Sequence, residues 1–321
     1  MKRIICALLA FCMCFSSLLL VGCGGTGDGG EKISIITTIF PEYDWVSEIL
    51  GENKDKAELR MLLDSGVDLH NYQPTAADIV ALSKCDMFIY VGGHSDEWVD
   101  DVLRHANNPD MIVINLFEVL GDAVIEEEHH GDHEEDGDHA HIHEEDEHVW
   151  TSVCNAKTVC RVIAEKLSEL DPDGKEVYEK NLEDYITRLD ALDASYRTAI
   201  EASPKRTLLF ADRFPFAYLA EEYGLECYAA FSGCSAESEA SFEVIASLAA
   251  KVDELSLSAV LKIEGSDGKI AETVINTTKS KNAKILTLDS MQAVTKKDIE
   301  DGASYISIME GNLEVIKEAL E

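Results

Sequence analysis

Between residues 33 and 117 short apolar runs alternate with longer segments whose apolar positions recur every three or four residues. ISIITTIF (33–40), AELRMLL (57–63), DMFIYVG (86–92) and MIVINLF (111–117) are apolar and rich in β-branched or aromatic residues, and are predicted as buried strands. PEYDWVSEILG (41–51), PTAADIVALSKC (74–85) and SDEWVDDVLRHA (95–106) are predicted helices. The first two carry an early Pro, the first ends on Gly, and the third has a Ser cap and an acidic first turn. A helix of about twenty residues is predicted from Thr151. Between Asp173 and Glu201 no strand signal occurs. Tyr178, Leu182, Tyr185, Leu189, Leu192 and Tyr196 recur there at spacings of four and three, bracketed by Pro172 and Pro204. This is one amphipathic helix about 40 Å long. Beyond it the alternation resumes. TLLFA (207–211), LECYAAF (225–231), SAVLKIE (258–264) and AKILTLD (283–289) are predicted strands. FAYLAEEYG (216–224), SFEVIASLAAKVDEL (241–255), KIAETVINTTKSK (269–281) and SYISIMEGNLEVIKEAL (304–320) are predicted helices.

This rhythm predicts two α/β lobes with mostly parallel sheets, joined by one long rigid helix. The boundaries are 33–170 for the first lobe, 171–203 for the linking helix and 204–321 for the second lobe. Ligands of such sheets bind beyond the carboxyl ends of the strands, here in the cleft between the lobes.

Two segments fall outside the rhythm. Residues 1–22 combine Lys2 and Arg3 with an uncharged apolar stretch, the pattern of a secretory signal. It ends in Leu20-Val21-Gly22-Cys23, which resembles a bacterial lipobox. Cys23 is then the lipidation site, and 23–32 a Gly-rich tether. The expected location is extracytoplasmic, anchored to the outer face of the cell membrane. The second segment, EEEHHGDHEEDGDHAHIHEEDEH (126–148), holds seven of the ten histidines and twelve of the 62 acidic residues, and its only apolar residues are Ala140 and Ile142. It has too little to bury to offset its ordering entropy, so 126–147 is expected to be a mobile loop. Imidazole and carboxylate are the ligands of divalent transition metals, and His129, His130, His133, His139, His141 and His143 are auxiliary metal ligands on this reading.

Net charge is −35, of which this segment supplies −12. An acidic chain disfavours nucleic acid as a partner and favours cations. The five cysteines beyond Cys23 are Cys85, Cys154, Cys160, Cys227 and Cys234, an odd number; Cys227 and Cys234 either bridge or stay as thiols. No HExxH, nucleophile motif or phosphate loop is present, which argues for a binding protein rather than an enzyme.

Three residues fall where this architecture needs ligands: His70 after the second strand, in DLHNYQPTAAD; His148 in DEHVWTSVCNAK; and Asp289 at the end of ILTLD. Together with GGHSDEWVDDVL, YLAEEYGL and the carboxyl-terminal helix, these stretches resemble the ZnuA-like family of zinc- and manganese-binding lipoproteins of bacterial ABC importers. The resemblance covers essentially all of the mature chain. It implies two lobes bridged by a rigid helix, an ion held between them, a membrane permease as partner and a monomeric chain. By position it implies His70, His148 and Asp289 as ligands. The family's remaining ligand, a His or Glu five residues before Tyr218, falls on Arg213, whose guanidinium has no lone pair to donate. Glu264 or Asp212 is the expected replacement, and Arg213 is expected to pair with Glu264 or Asp289. The cargo is expected to be Zn²⁺, with Mn²⁺ as the alternative; a metal-buffering or adhesion lipoprotein without a transporter is the other reading.

Overall fold

The structure, a computed structural model, describes residues 32–126, 145–235 and 239–321. The signal segment, Cys23 and the histidines at 129, 130, 133, 139, 141 and 143 lie outside the described residues. The first lobe contains β1 (Ile33–Thr37), α1 (Phe40–Leu50), β2 (Ala57–Met61), α2 (Ala76–Leu82), β3 (Met87–Tyr90), α3 (Trp98–Leu103), β4 (Ile112–Asn115), α4 (Leu116–Leu120) and α5 (Val153–Leu170). The linking helix α6 runs Lys175–Ala202. The second lobe contains β5 (Thr207–Phe214), α7 (Ala217–Tyr223), β6 (Glu226–Ser232), α8 (Phe242–Leu255), β7 (Ala259–Ile263), α9 (Lys269–Thr277), β8 (Lys284–Leu288), α10 (Lys296–Glu300) and α11 (Tyr305–Ala319).

Each lobe carries a four-stranded sheet, in the orders β2-β1-β3-β4 and β6-β5-β7-β8, and every pairing is parallel. Parallel sheets need helical crossovers on their faces, which is why the apolar strand runs are continuous rather than alternating. Local chemistry sets several ends. The side chain of Asn115 accepts from Glu118 N at 3.2 Å and starts α4, so β4 is shorter than the apolar run suggests. Ser152, Ser241 and Ser304 cap α5, α8 and α11. In β5 the register with β6 shifts between Phe210 and Arg213, and the strand extends to Phe214, past the predicted end.

Helix α6 buries Tyr178, Tyr185, Leu189, Leu192, Tyr196 and Ile200 along one stripe. It packs on α1, α5 and α11. Asn181 donates to Ile49 O of the first lobe at 3.0 Å, and the Tyr196 hydroxyl to Met309 O of the second at 2.7 Å. One apolar core therefore passes from Trp45 and Phe88 through α6 to Phe210, Leu288 and Tyr305. A smaller cluster fills the outer face of the second sheet under α8 and α9. Helix α11 returns to the first lobe: Tyr305 N donates to Asp44 Oδ2 at 3.0 Å and its hydroxyl to Trp150 O at 2.9 Å. Among the described residues no helix is long and apolar enough to cross a membrane.

Because Leu189 is fully buried in the core that both lobes share, Leu189→Ala is expected to destabilise the metal-free protein by about 2–5 kcal/mol. Denaturant unfolding followed by fluorescence should show one shifted transition rather than two.

Candidate metal centre

His70 sits on the single helical turn Leu69–Asn71 that follows β2, and Asp68 caps this turn by accepting from His70 N at 3.0 Å. His148 precedes the turn Val149–Thr151 that leads into α5. The two side chains, 78 positions apart, meet with Nε2 atoms 3.2 Å from each other and ring centroids at 5.1 Å. His148 is completely buried.

The adjacent residues Asp146 and Glu147 account for this meeting. Asp146 Oδ1 lies 3.0 Å from His148 Nδ1 and also accepts from His148 N at 2.8 Å. Glu147 Oε2 lies 3.0 Å from His70 Nδ1. The same carboxylate accepts from Ser95 N at 2.7 Å and from the Ser95 hydroxyl. A carboxylate only accepts, so each Nδ1 carries its ring's proton and each Nε2 turns its lone pair toward the other ring. Tyr218 of α7 holds this segment from the second lobe. Its hydroxyl donates to Asp146 O at 2.6 Å and accepts from Ile125 N at 3.2 Å.

Three observations correct the expectations. Of the loop 126–147 the structure describes Glu126 and 145–147: Glu126 bridges Glu145, and Asp146 and Glu147 are buried because the imidazoles and Ser95 satisfy them. Ser95 does not cap α3, which begins at Trp98; it is spent on Glu147. Arg213 does not pair with Glu264 or Asp289. Its Nη2 donates to Asp68 Oδ2 at 2.7 Å, joining β5 of one lobe to the His70 turn of the other.

Electrostatics favour a cation. Burial alone would raise the Asp68 and Glu147 carboxyls, but His70 and Arg213 at Asp68, and His70 and Ser95 at Glu147, hold both below the usual range. Burial works against a charge on His148. The carboxylates of Asp146, Glu147 and Asp68 outweigh it and hold that imidazole above its ordinary pKa. Asp68, Asp146 and Glu147 against Arg213 leave two formal negative charges around the paired lone pairs. A cleft of about 610 Å³ opens beside them, lined among others by His70, Tyr72, Ser95, Glu147, Arg213 and Cys234.

The third donor beside the histidines is Cys234, in the turn after β6: among the described residues one atom each from His70, His148 and Cys234 lies within 4.8 Å of the other two. Asp289, Glu264 and Asp212 are not in that group. Glu264 accepts from Ser290 N, the Ser290 hydroxyl and Gln292 N at 2.6–3.2 Å. Asp212 accepts from Arg213 N at 2.9 Å and from Ile263 N at 3.4 Å. Asp289 accepts from Met291 N at 2.8 Å, and burial with the nearby Glu264 carboxylate pushes it up to about 6. Cys227 and Cys234 are not bridged to each other in the structure.

Comparison with known proteins bears on this arrangement. Residues 35–319 match the family model described as zinc-uptake complex component A, periplasmic. The chain is 31% identical over 319 residues to the high-affinity zinc uptake system protein ZnuA of Bacillus subtilis, covering 98% of this chain and 97% of that one. It is 30% identical to the zinc-binding lipoprotein AdcA of Streptococcus pneumoniae over its own full length but only 62% of AdcA. The crystal structure of the Zn(II)-bound ZnuA-like domain of that AdcA superposes with a TM-score of 0.71 at 27% identity, over 90% of this chain and 99% of the domain. On the extent of these matches, the chain belongs to the zinc-uptake complex component A family.

Proposed function

We propose that this protein captures a divalent transition metal, zinc foremost, outside the cytoplasm and delivers it to the permease of an ABC importer. It is a binding protein, with the ion as cargo. The observation that carries this reading is the pair of Nε2 atoms at 3.2 Å, each imidazole backed by its own carboxylate. Two nitrogen ligands of a tetrahedral zinc ion stand roughly 3.3 Å apart, given Zn–N bonds of ~2.0–2.1 Å. Without a cation, two lone pairs face each other there or a proton must lie between them; an ion relieves both. The relatives named for zinc uptake support zinc over manganese. The lipidated Cys23, the tether 23–32 and the auxiliary histidines at 129, 130, 133, 139, 141 and 143 belong to the same reading: the chain stays near the membrane while weak ligands gather ions beside the cleft. Asp289, at the end of β8, stays in this reading as the second lobe's carboxylate; Glu264 and Asp212 are tied to backbone amides.

Metal analysis of protein purified without an affinity tag should find zinc, and His70→Ala or His148→Ala should each lower affinity by at least ~100-fold in calorimetry. Tag-free protein that retains neither zinc nor manganese would sink the reading. Asp146→Asn and Glu147→Gln leave both Nε2 atoms in place but loosen their aim, so each should cost about 10–100-fold.

Protons compete for the same nitrogens. Because His148 is held above its ordinary pKa, its proton interferes from closer to neutrality, and affinity should drop between about pH 7.5 and about pH 5. Equal affinities at the two pH values would argue against imidazole ligation.

Deleting residues 127–144 keeps the Glu126–Glu145 bridge and both orienting carboxylates. That variant should bind one ion as tightly as the parent. Deletion of 126–147 removes Asp146 and Glu147 and should lose tight binding even with His148 present.

A further inference from the structure

The second lobe lacks the ligand that this site's position calls for. Arg213 occupies it, and its guanidinium, with no lone pair, is committed to Asp68. Glu264 and Asp212 are held by backbone amides. The donor that does approach the histidines from the second lobe is a thiol.

We propose that Cys234 supplies the missing ligand, so that the cargo is held by two imidazoles and a thiolate, and that this thiolate makes the site select zinc against manganese. The inference rests on the reading of the site as a divalent-metal site and specifies its chemistry.

Geometry carries the argument. The ligating atoms of His70, His148 and Cys234 lie within 4.8 Å of one another. Ligands of a tetrahedral zinc ion stand about 3.3–3.6 Å apart, given Zn–N of ~2.0–2.1 Å and Zn–S of ~2.3 Å. Closing the site therefore needs an approach of about 1.5 Å at most. Gly233 makes this closeness possible. A Cβ there would stand 2.9 Å from His148 Cε1 and 2.9 Å from Phe214 O, so only glycine lets the turn lie against the buried ring. Phe214 ends β5, directly after Arg213; the turn carrying Cys234 is thus seated between the His148 ring and the strand that bears the non-ligating arginine. Cys234 is partly exposed and lines the cleft by which an ion arrives.

Chemistry sets the selectivity. Two imidazoles and a thiolate suit zinc, which takes sulfur and nitrogen in tetrahedral geometry. Manganese prefers oxygen ligands at higher coordination number. On binding, the thiol gives up its proton to solvent and sulfur donates a lone pair to the ion; no redox change occurs. The ion-pair role of Arg213 fits this scheme, because Asp68 neutralises the guanidinium within the site's wall and the cation meets no opposing free charge.

The test uses the full chain stripped of metal. Cobalt(II) added to the parent should produce a near-ultraviolet sulfur-to-cobalt charge-transfer band that Cys234→Ser abolishes. The same substitution should lower zinc affinity by about 10–100-fold while leaving manganese affinity within about two-fold. Cys234→Asp should raise manganese affinity relative to zinc, and Gly233→Ala should weaken zinc binding by displacing His148 or the turn. Thermal unfolding of each apo variant checks that the fold is kept. A cobalt complex without the thiolate band, or zinc affinity unchanged in Cys234→Ser, overturns the proposal. If His70→Ala and His148→Ala still abolish binding in that case, the capture reading stands and only the cysteine's role falls; if they too leave binding intact, the capture reading itself falls.

Discussion

Two consecutive carboxylates do most to define this molecule's centre. Asp146 holds one imidazole and Glu147 another, so a single dipeptide sets both rings. Each carboxylate fixes a tautomer as well as an orientation. The result is a pair of lone pairs aimed at one point in a buried setting, an arrangement that is unfavourable for the empty protein and favourable for one holding a cation. The Tyr218 clamp, the Ser95 contacts and the Glu126–Glu145 bridge all serve to keep that dipeptide where it is.

The cleft is built by two parallel sheets whose strand ends face one another, but its rigidity comes from what lies behind it. A single apolar core runs through α6 into both lobes, and α11 returns to touch the first. Lobes that share a core cannot swing apart without exposing it, since packed interiors are bistable rather than compliant. On the proposed capture of an ion, exchange is then a matter for the short turns at the cleft, those carrying His70, His148 and Cys234. The Arg213–Asp68 pair ties the lobes at the same level and keeps the His70 turn in register with β5.

Most of the architecture could be read from the pattern of apolar residues. Continuous β-branched runs separated by helix-period segments give parallel sheets, and the tyrosines and leucines of α6 appear at the spacing that buries them. The convergence of His70 and His148 was legible because each stands at the end of an element that points into the cleft. The parts that were not legible depend on contacts between residues far apart in sequence. Ser95 reads locally as a helix cap, and only the fold brings Glu147 to it. Asp146 and Glu147 read as the tail of an acidic run, since nothing in composition distinguishes an acid that will accept from an imidazole from one that will face water. Arg213 was matched by topology to Glu264 or Asp289, and its pairing with Asp68 depends on a contact between the lobes that the sequence does not show. Cys234 was weighed only against Cys227; its nearness to His148 depends on the absence of a side chain at Gly233.

Helix α11 has a further consequence. It supplies the amide that satisfies buried Asp44, the hydroxyl that meets Trp150 O and, through Asn312, both hydrogen bonds that grip the backbone of Asp289. One helix thus ties a carboxylate of the first lobe to a strand end of the second, so a disturbance at either is carried to the other.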